Sequence, residues 1–97
     1  MIKINSSEGC ISINGHAGYD VQGKDIVCAA VSVLAQNLIM SIEKLTEDKI
    51  KYSISAGKLD INYKKLSKQA QVLLASFFIG IEAIANEYPQ YVKLSKH

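Results

Sequence analysis

Ile2-Lys3-Ile4-Asn5-Ser6-Ser7-Glu8-Gly9-Cys10-Ile11-Ser12-Ile13 opens the chain, and its reading decides the fold. Ile2 and Ile4, then Ile11 and Ile13, alternate with polar residues on either side of a glycine-containing turn. A period of two sends successive side chains to opposite faces of a strand, so the pattern predicts a hairpin with one apolar face. Its second strand should end near Gly15-His16. From Ala17 to Lys24 no period survives, and Gly18 and Gly23 break the run, which predicts a mobile loop.

Asp25 follows the loop and suits an N-cap, because its carboxylate can accept a bond from an unpaired amide two or three residues later. Beyond it, Val27, Val31, Leu34, Leu38, Ile42 and Leu45 recur at spacings of three and four, predicting an amphipathic helix from Ile26 to about Leu45. Glu47-Asp48-Lys49 closes it. Ile50, Tyr52, Ile54 and Ala56, then Leu59, Ile61 and Tyr63, predict a second hairpin around Gly57. Ser67 can cap a second helix running to about Glu87, with Pro89 preventing its continuation. Between Val72 and Ala85 that helix is apolar on most sides, which predicts burial on several sides in a core shared by two copies. Tyr91-Val92-Lys93-Leu94 can add a last strand.

The element order ββαββα(β) describes an α+β domain over residues 1–97: a small antiparallel sheet from two hairpins, with two helices. A chain of 97 residues buries only part of its surface, and a homodimer is a natural remedy. The net charge of +2 is too small to imply a nucleic-acid partner, and all eleven basic residues are lysines. Arginine, the side chain most used to grip phosphate and guanine, is absent. The N-terminus lacks the apolar core of a signal peptide, and the Val72–Ala85 run is shorter than a membrane span. Two cysteines in such a chain read as free thiols, and the protein is expected in the cytoplasm. Tyr52, Tyr63, Phe77 and Phe78 fit core faces.

Chemistry concentrates around the loop. Cys28 falls three residues after the proposed cap, in the first helical turn, where the helix dipole favours a thiolate. Amides of that turn, those of Cys28 and Ala29, could also hold an oxyanion. The plain alternative is a small buried apolar residue. His16 lies where strand meets loop; if the loop doubles back, its imidazole can serve Cys28 as a base and later protonate a leaving amine. Alternatively it only hydrogen-bonds at a strand end. Asp25 acts first as the cap and is a poor orienting partner for His16, since its charge beside Cys28 opposes a thiolate. Ser32 is one turn beyond Cys28 on the same helix face and fits either substrate contact or packing. Gly18 and Gly23 allow the loop to open and close, or simply to turn. Cys10, Cys28, His16 and His97 show no zinc spacing, so neither a metal nor a cofactor is expected. Cys10 reads as a spectator.

Gly15-His16-Ala17, Gly23, Asp25, Val27-Cys28-Ala29 and Ser32, with the spacing between them, resemble the signature of the ribosomal-processing cysteine protease family (Prp). The resemblance extends over essentially the whole chain. It implies a small homodimeric α+β protease that removes the N-terminal extension of a large-subunit ribosomal protein (number twenty-seven), cutting after a Phe-Phe pair. It implies that Cys28 is the nucleophile, His16 the base, Asp25 and Ser32 supporting residues, and Ala17 to Lys24 a flexible loop that closes over substrate. Two other readings of the same residues stand beside it: a non-catalytic ribosome-associated module, and a thiol redox sensor. A site of this kind is also expected to be gated, with His16 out of hydrogen-bond reach of Cys28 until substrate arrives.

Overall fold

The computed structural model describes Met1–His97. Strands β1 (Ile2–Ser7) and β2 (Cys10–Asn14) form the first hairpin, and β3 (Lys51–Ser55) and β4 (Lys58–Asn62) the second. Helix α1 (Ile26–Leu45) separates the hairpins; helix α2 (Lys68–Glu87) and strand β5 (Val92–Lys96) complete the chain. The five strands lie in the order β3-β4-β2-β1-β5. The sheet is mixed and not antiparallel throughout, because β5 runs parallel to β1, pairing Ile2 with Val92 and Ile4 with Leu94. A hairpin turn dictates antiparallel pairing, whereas a strand that follows a long helix can return in either direction. Here α2 carries the chain back along the sheet, and β5 enters in the direction of β1.

One face of the sheet is the core face. Ile2, Ile4, Ile11, Ile13, Leu59, Ile61 and Val92 share it and are all buried. Against it α1 sets Val27, Val31, Ala35, Leu38, Ile39 and Ile42, and α2 sets Ala70, Phe77 and Ile81. No polar or charged side chain is buried, so no desolvation penalty offsets the apolar gain. A fully buried isoleucine such as Ile4, Ile11 or Ile81 contributes about 1.5–3 kcal/mol. Leu34 is only half-buried, and Leu45 points to solvent.

Both helix starts follow the capping logic. Asp25 accepts from the amides of Val27 and Cys28, and Ser67 accepts from that of Ala70. Helix α1 stops one turn after Ile42, where Thr46 returns both its amide and its hydroxyl to the Ile42 carbonyl.

One expectation fails at the margin of the sheet. Every residue of β3 is exposed, including Tyr52 at 46% and Ile54 at 56%. Two helices side by side cover roughly 20 Å, at about 10 Å each. Five strands at about 4.8 Å spacing need more. Since α2 packs beside β5, the opposite edge goes uncovered, and Tyr52, set opposite Ile61 on the core side of the sheet, meets solvent and not a core. Helix α2 leaves its outer face uncovered within one chain, with Val72 and Ile79 exposed at 68% and 69%. Both helices are long and apolar enough to cross a membrane by length and composition, contrary to the sequence reading of the second. In this fold the apolar stripe of α1 lies against the sheet.

Candidate active site

The residues singled out around the loop gather at the N-terminal end of α1. Asp25 organises them. Its Oδ1 accepts from the amides of Val27 and Cys28 at 3.0 and 2.9 Å, which starts the helix. Its Oδ2 accepts from the loop amides of Tyr19 and Asp20 at 3.0 and 3.3 Å. One carboxylate thus ties the loop to the helix. These bonds, above all that from the Cys28 amide, hold the Asp25 carboxyl below its ordinary value of 3.8, against a smaller upward push from desolvation. All four bonds go to backbone, so Asp25 supports the helix and loop and does not orient His16.

Cys28 sits half-buried in the first turn of α1, with its Sγ accepting a hydrogen bond from the Ala17 amide at 3.2 Å. Ala17 is buried, which fixes the strand-to-loop junction and aims that amide at sulfur. The expectation that Cys28 and Ala29 amides hold an oxyanion is not met. The first is bonded to Asp25 Oδ1 and the second to the Asp25 carbonyl at 3.1 Å. A well-capped helix has no spare donors at these two positions.

His16 is exposed, immediately before Ala17. Its Nε2 tip lies against the turn between β3 and β4: a Cβ built on Gly57 would be 2.9 Å from Nε2. The thiol takes its hydrogen bond from a backbone amide, not from the imidazole. Ser32, one turn beyond Cys28, accepts from the Gln36 side chain at 3.1 Å and faces the same cleft.

Cys28, His16 and Ser32 line two adjoining clefts. The first, about 210 Å³, runs between α1 and the second hairpin and is walled by Ile13, Val31, Ala35, Ile54 and Leu59. The second, about 480 Å³, lies under the loop and is walled by Gly18, Asp20, Gln22, Gly23 and Asp25. A trough of large apolar side chains and one lined mainly by glycine and polar residues therefore meet at the thiol. An extended chain laid across both would pass its backbone over Sγ. Gly18 and Gly23 both take left-handed backbone angles, with φ of +71° and +90°, and face open space.

Two participants escaped the sequence reading. Gly57 is one, brought to His16 by the pairing of β2 with β4. Tyr19 is the other: its ring meets Tyr88 and Tyr91 edge-on at 5.5 and 5.2 Å, anchoring the loop to the start of β5. The one signal for Tyr19 was an aromatic residue stranded in a polar, glycine-rich segment.

Comparison with known proteins agrees with this arrangement. The chain is 32% identical to the ribosomal processing cysteine protease Prp of Mycoplasma genitalium, covering 99% of this chain and 96% of that one. It is 27% identical to the protein of the same name from Staphylococcus aureus, over 88% of this chain and 83% of the relative. The fold matches a crystal structure of the Staphylococcus aureus protease in complex with a covalently linked product peptide, with a TM-score of 0.95, full coverage of both chains and 23% identity. The family model for cysteine protease Prp matches residues 1–93, nearly the full length. With its thiol at a helix start between two clefts, the chain belongs to the cysteine protease Prp family.

Proposed function

We propose that this chain is a cysteine endopeptidase that removes the N-terminal extension of a large-subunit ribosomal protein (number twenty-seven), with Cys28 as nucleophile and His16 as base. The observation that carries this reading is the placement of Cys28 Sγ, in the first turn of α1 at the junction of the two clefts that His16 also lines. The names of its relatives in Mycoplasma genitalium and Staphylococcus aureus, which are ribosomal processing proteases, point to the substrate.

In the reaction His16 takes the thiol proton and Sγ attacks the scissile carbonyl carbon. The carbon–nitrogen bond then breaks, the imidazolium returns its proton to the leaving amine, and water hydrolyses the thioester. At rest the thiol's hydrogen bond comes from the Ala17 amide and not from His16, so imidazole and Sγ must close on each other for the first step, which supports a site that becomes competent only with substrate present. The apolar trough suits the aromatic pair before the cut, and the loop-covered trough suits the small residue after it. The cytoplasm, where ribosomal proteins are made, is the compartment this activity requires.

The test is mass spectrometry of a peptide containing Leu-Gln-Phe-Phe-Ala-Ser after incubation with the native chain. Cleavage between the second phenylalanine and the alanine is expected. An intact peptide, together with an uncut full-length precursor, overturns the reading.

A homodimer belongs to the same proposal. Ile26, Val33 and Met40 form an exposed stripe along α1 at intervals of seven, beside exposed Val72 and Ile79 of α2. The groove between the helices is floored by Ala29, Ala30 and Gly80, small residues that let another copy approach closely. Val33→Glu or Ile79→Glu buries a charge in such an interface, so each is expected to yield monomers by light scattering where the native chain is dimeric. A native chain that is itself monomeric at micromolar concentration refutes this part.

A further inference from the structure

We propose that Gly57 is a positioning residue for His16, an inference that rests on His16 being the base. Gly57 is the second residue of the two-residue turn, Ala56-Gly57, that joins β3 to β4. Its carbonyl accepts a hydrogen bond from the Gly15 amide at 2.8 Å, tying the residue before His16 to the tip of the second hairpin. Its Cα faces the imidazole: a Cβ there would stand 2.9 Å from Nε2 and 3.5 Å from both Cδ2 and Cε1. The ring points its tip at a bare Cα. One residue therefore fixes the backbone that carries the base and sets how near the ring can come.

The turn makes a backbone demand of its own. Two-residue hairpins favour turns with φ positive at the first central residue or at both, matching the twist of the strands. Here Gly57 has φ +70°, while no residue other than glycine is positive, so Ala56 is not. The first hairpin turns in the same way, with Gly9 at φ +79° and Glu8 not positive, so the angle belongs to the turn and the bare Cα is what serves His16. Gly57 meets two separate demands, a left-handed backbone and an absent side chain. Asparagine satisfies the first and violates the second, since it tolerates left-handed angles yet carries a Cβ.

The experiment compares Gly57→Asn with Gly9→Asn in the full chain. Gly9, with φ +79°, turns the first hairpin at the opposite end of the sheet, where a Cβ meets the Tyr63 carbonyl at 2.8 Å and no group of the site. Peptide hydrolysis is separated into kcat and KM, and the imidazole ring protons are followed by NMR with His97 as an internal reference. Gly57→Asn is expected to lower kcat by about 10²-fold with little change in KM, the cost typical of a misplaced catalytic group. It should shift the His16 resonances and leave those of His97 in place. Gly9→Asn is expected to keep the native kcat and the native His16 resonances.

A native kcat in Gly57→Asn, or an equal loss in Gly9→Asn, overturns the proposal. If Gly57→Asn does not fold, the same change is made in a His16→Ala background, where the added Cβ has room. Folding there supports the contact, and failure there refutes it. Hydrolysis by His16→Ala itself would instead sink the assignment of the base, whatever Gly57 does.

Discussion

Cys28→Ser is expected to reduce peptide hydrolysis by at least about 10⁴-fold, the scale seen when a protease loses its nucleophile. A hydroxyl is far harder to ionise than a thiol, and His16 does not hydrogen-bond to this position in the resting site to assist it. Serine is the informative replacement because its oxygen can still accept the Ala17 amide. Alanine removes that acceptor and strands the amide of a residue that is 3% exposed, at a cost of about 1–3 kcal/mol. Loss of activity in a serine variant that unfolds at the native temperature therefore reports chemistry and not fold. Cys10→Ser is the matched control. Cys10 begins β2, at the far end of the sheet from the loop, and its replacement is expected to leave hydrolysis at the native rate. Native-rate hydrolysis by Cys28→Ser would remove Cys28 from the mechanism.

The contrast between the two cysteines was legible in the sequence, because local signals separate them. Alternating isoleucines put Cys10 in a strand, and Asp25 put Cys28 in a first helical turn. Local rules likewise set the hairpins and both helix starts, as Asp25 and Ser67 show. What stayed hidden depends on how elements pack. Nothing in Val92–Lys96 states that it lies parallel to β1, since no turn links them. The exposure of Tyr52 follows from the width of two helices against five strands, a property of no single segment. Gly57 reaches His16 only through the register that sets Asn14 opposite Lys58. The oxyanion reading failed for a reason the sequence did contain. A side chain that caps a helix consumes first-turn amides, so Asp25 as cap and the Cys28 amide as oxyanion donor were competing claims on one N–H.

That competition makes Asp25 the second site of large expected effect. Its two oxygens divide the labour: Oδ1 serves the helix through Val27 and Cys28, and Oδ2 serves the loop through Tyr19 and Asp20. Asp25→Ala removes both sets, and is expected to lower the unfolding temperature and to cut kcat by roughly 10²-fold through a misplaced thiol and loop. Asp25→Asn separates them. Asparagine is as good an N-cap as aspartate, so its single oxygen keeps the helix bonds. Its NH₂ group then faces two further N–H donors and cannot bond to either. The expected variant melts near the native temperature at neutral pH, yet its Tyr19 and Asp20 amides exchange with solvent faster and its hydrolysis is slowed. The acid limb supplies an independent reading. Because the folded carboxyl sits below its ordinary 3.8, mainly through the Cys28 amide, the stability it confers is complete above that value and is lost as pH falls through the folded value. Asp25→Asn has no such proton to take up, so its unfolding temperature should fall less steeply below pH 3.8 than that of the native chain. Equal acid sensitivity in both proteins, with native exchange at residues 19 and 20, would show that the carboxylate neither caps the helix nor holds the loop in solution.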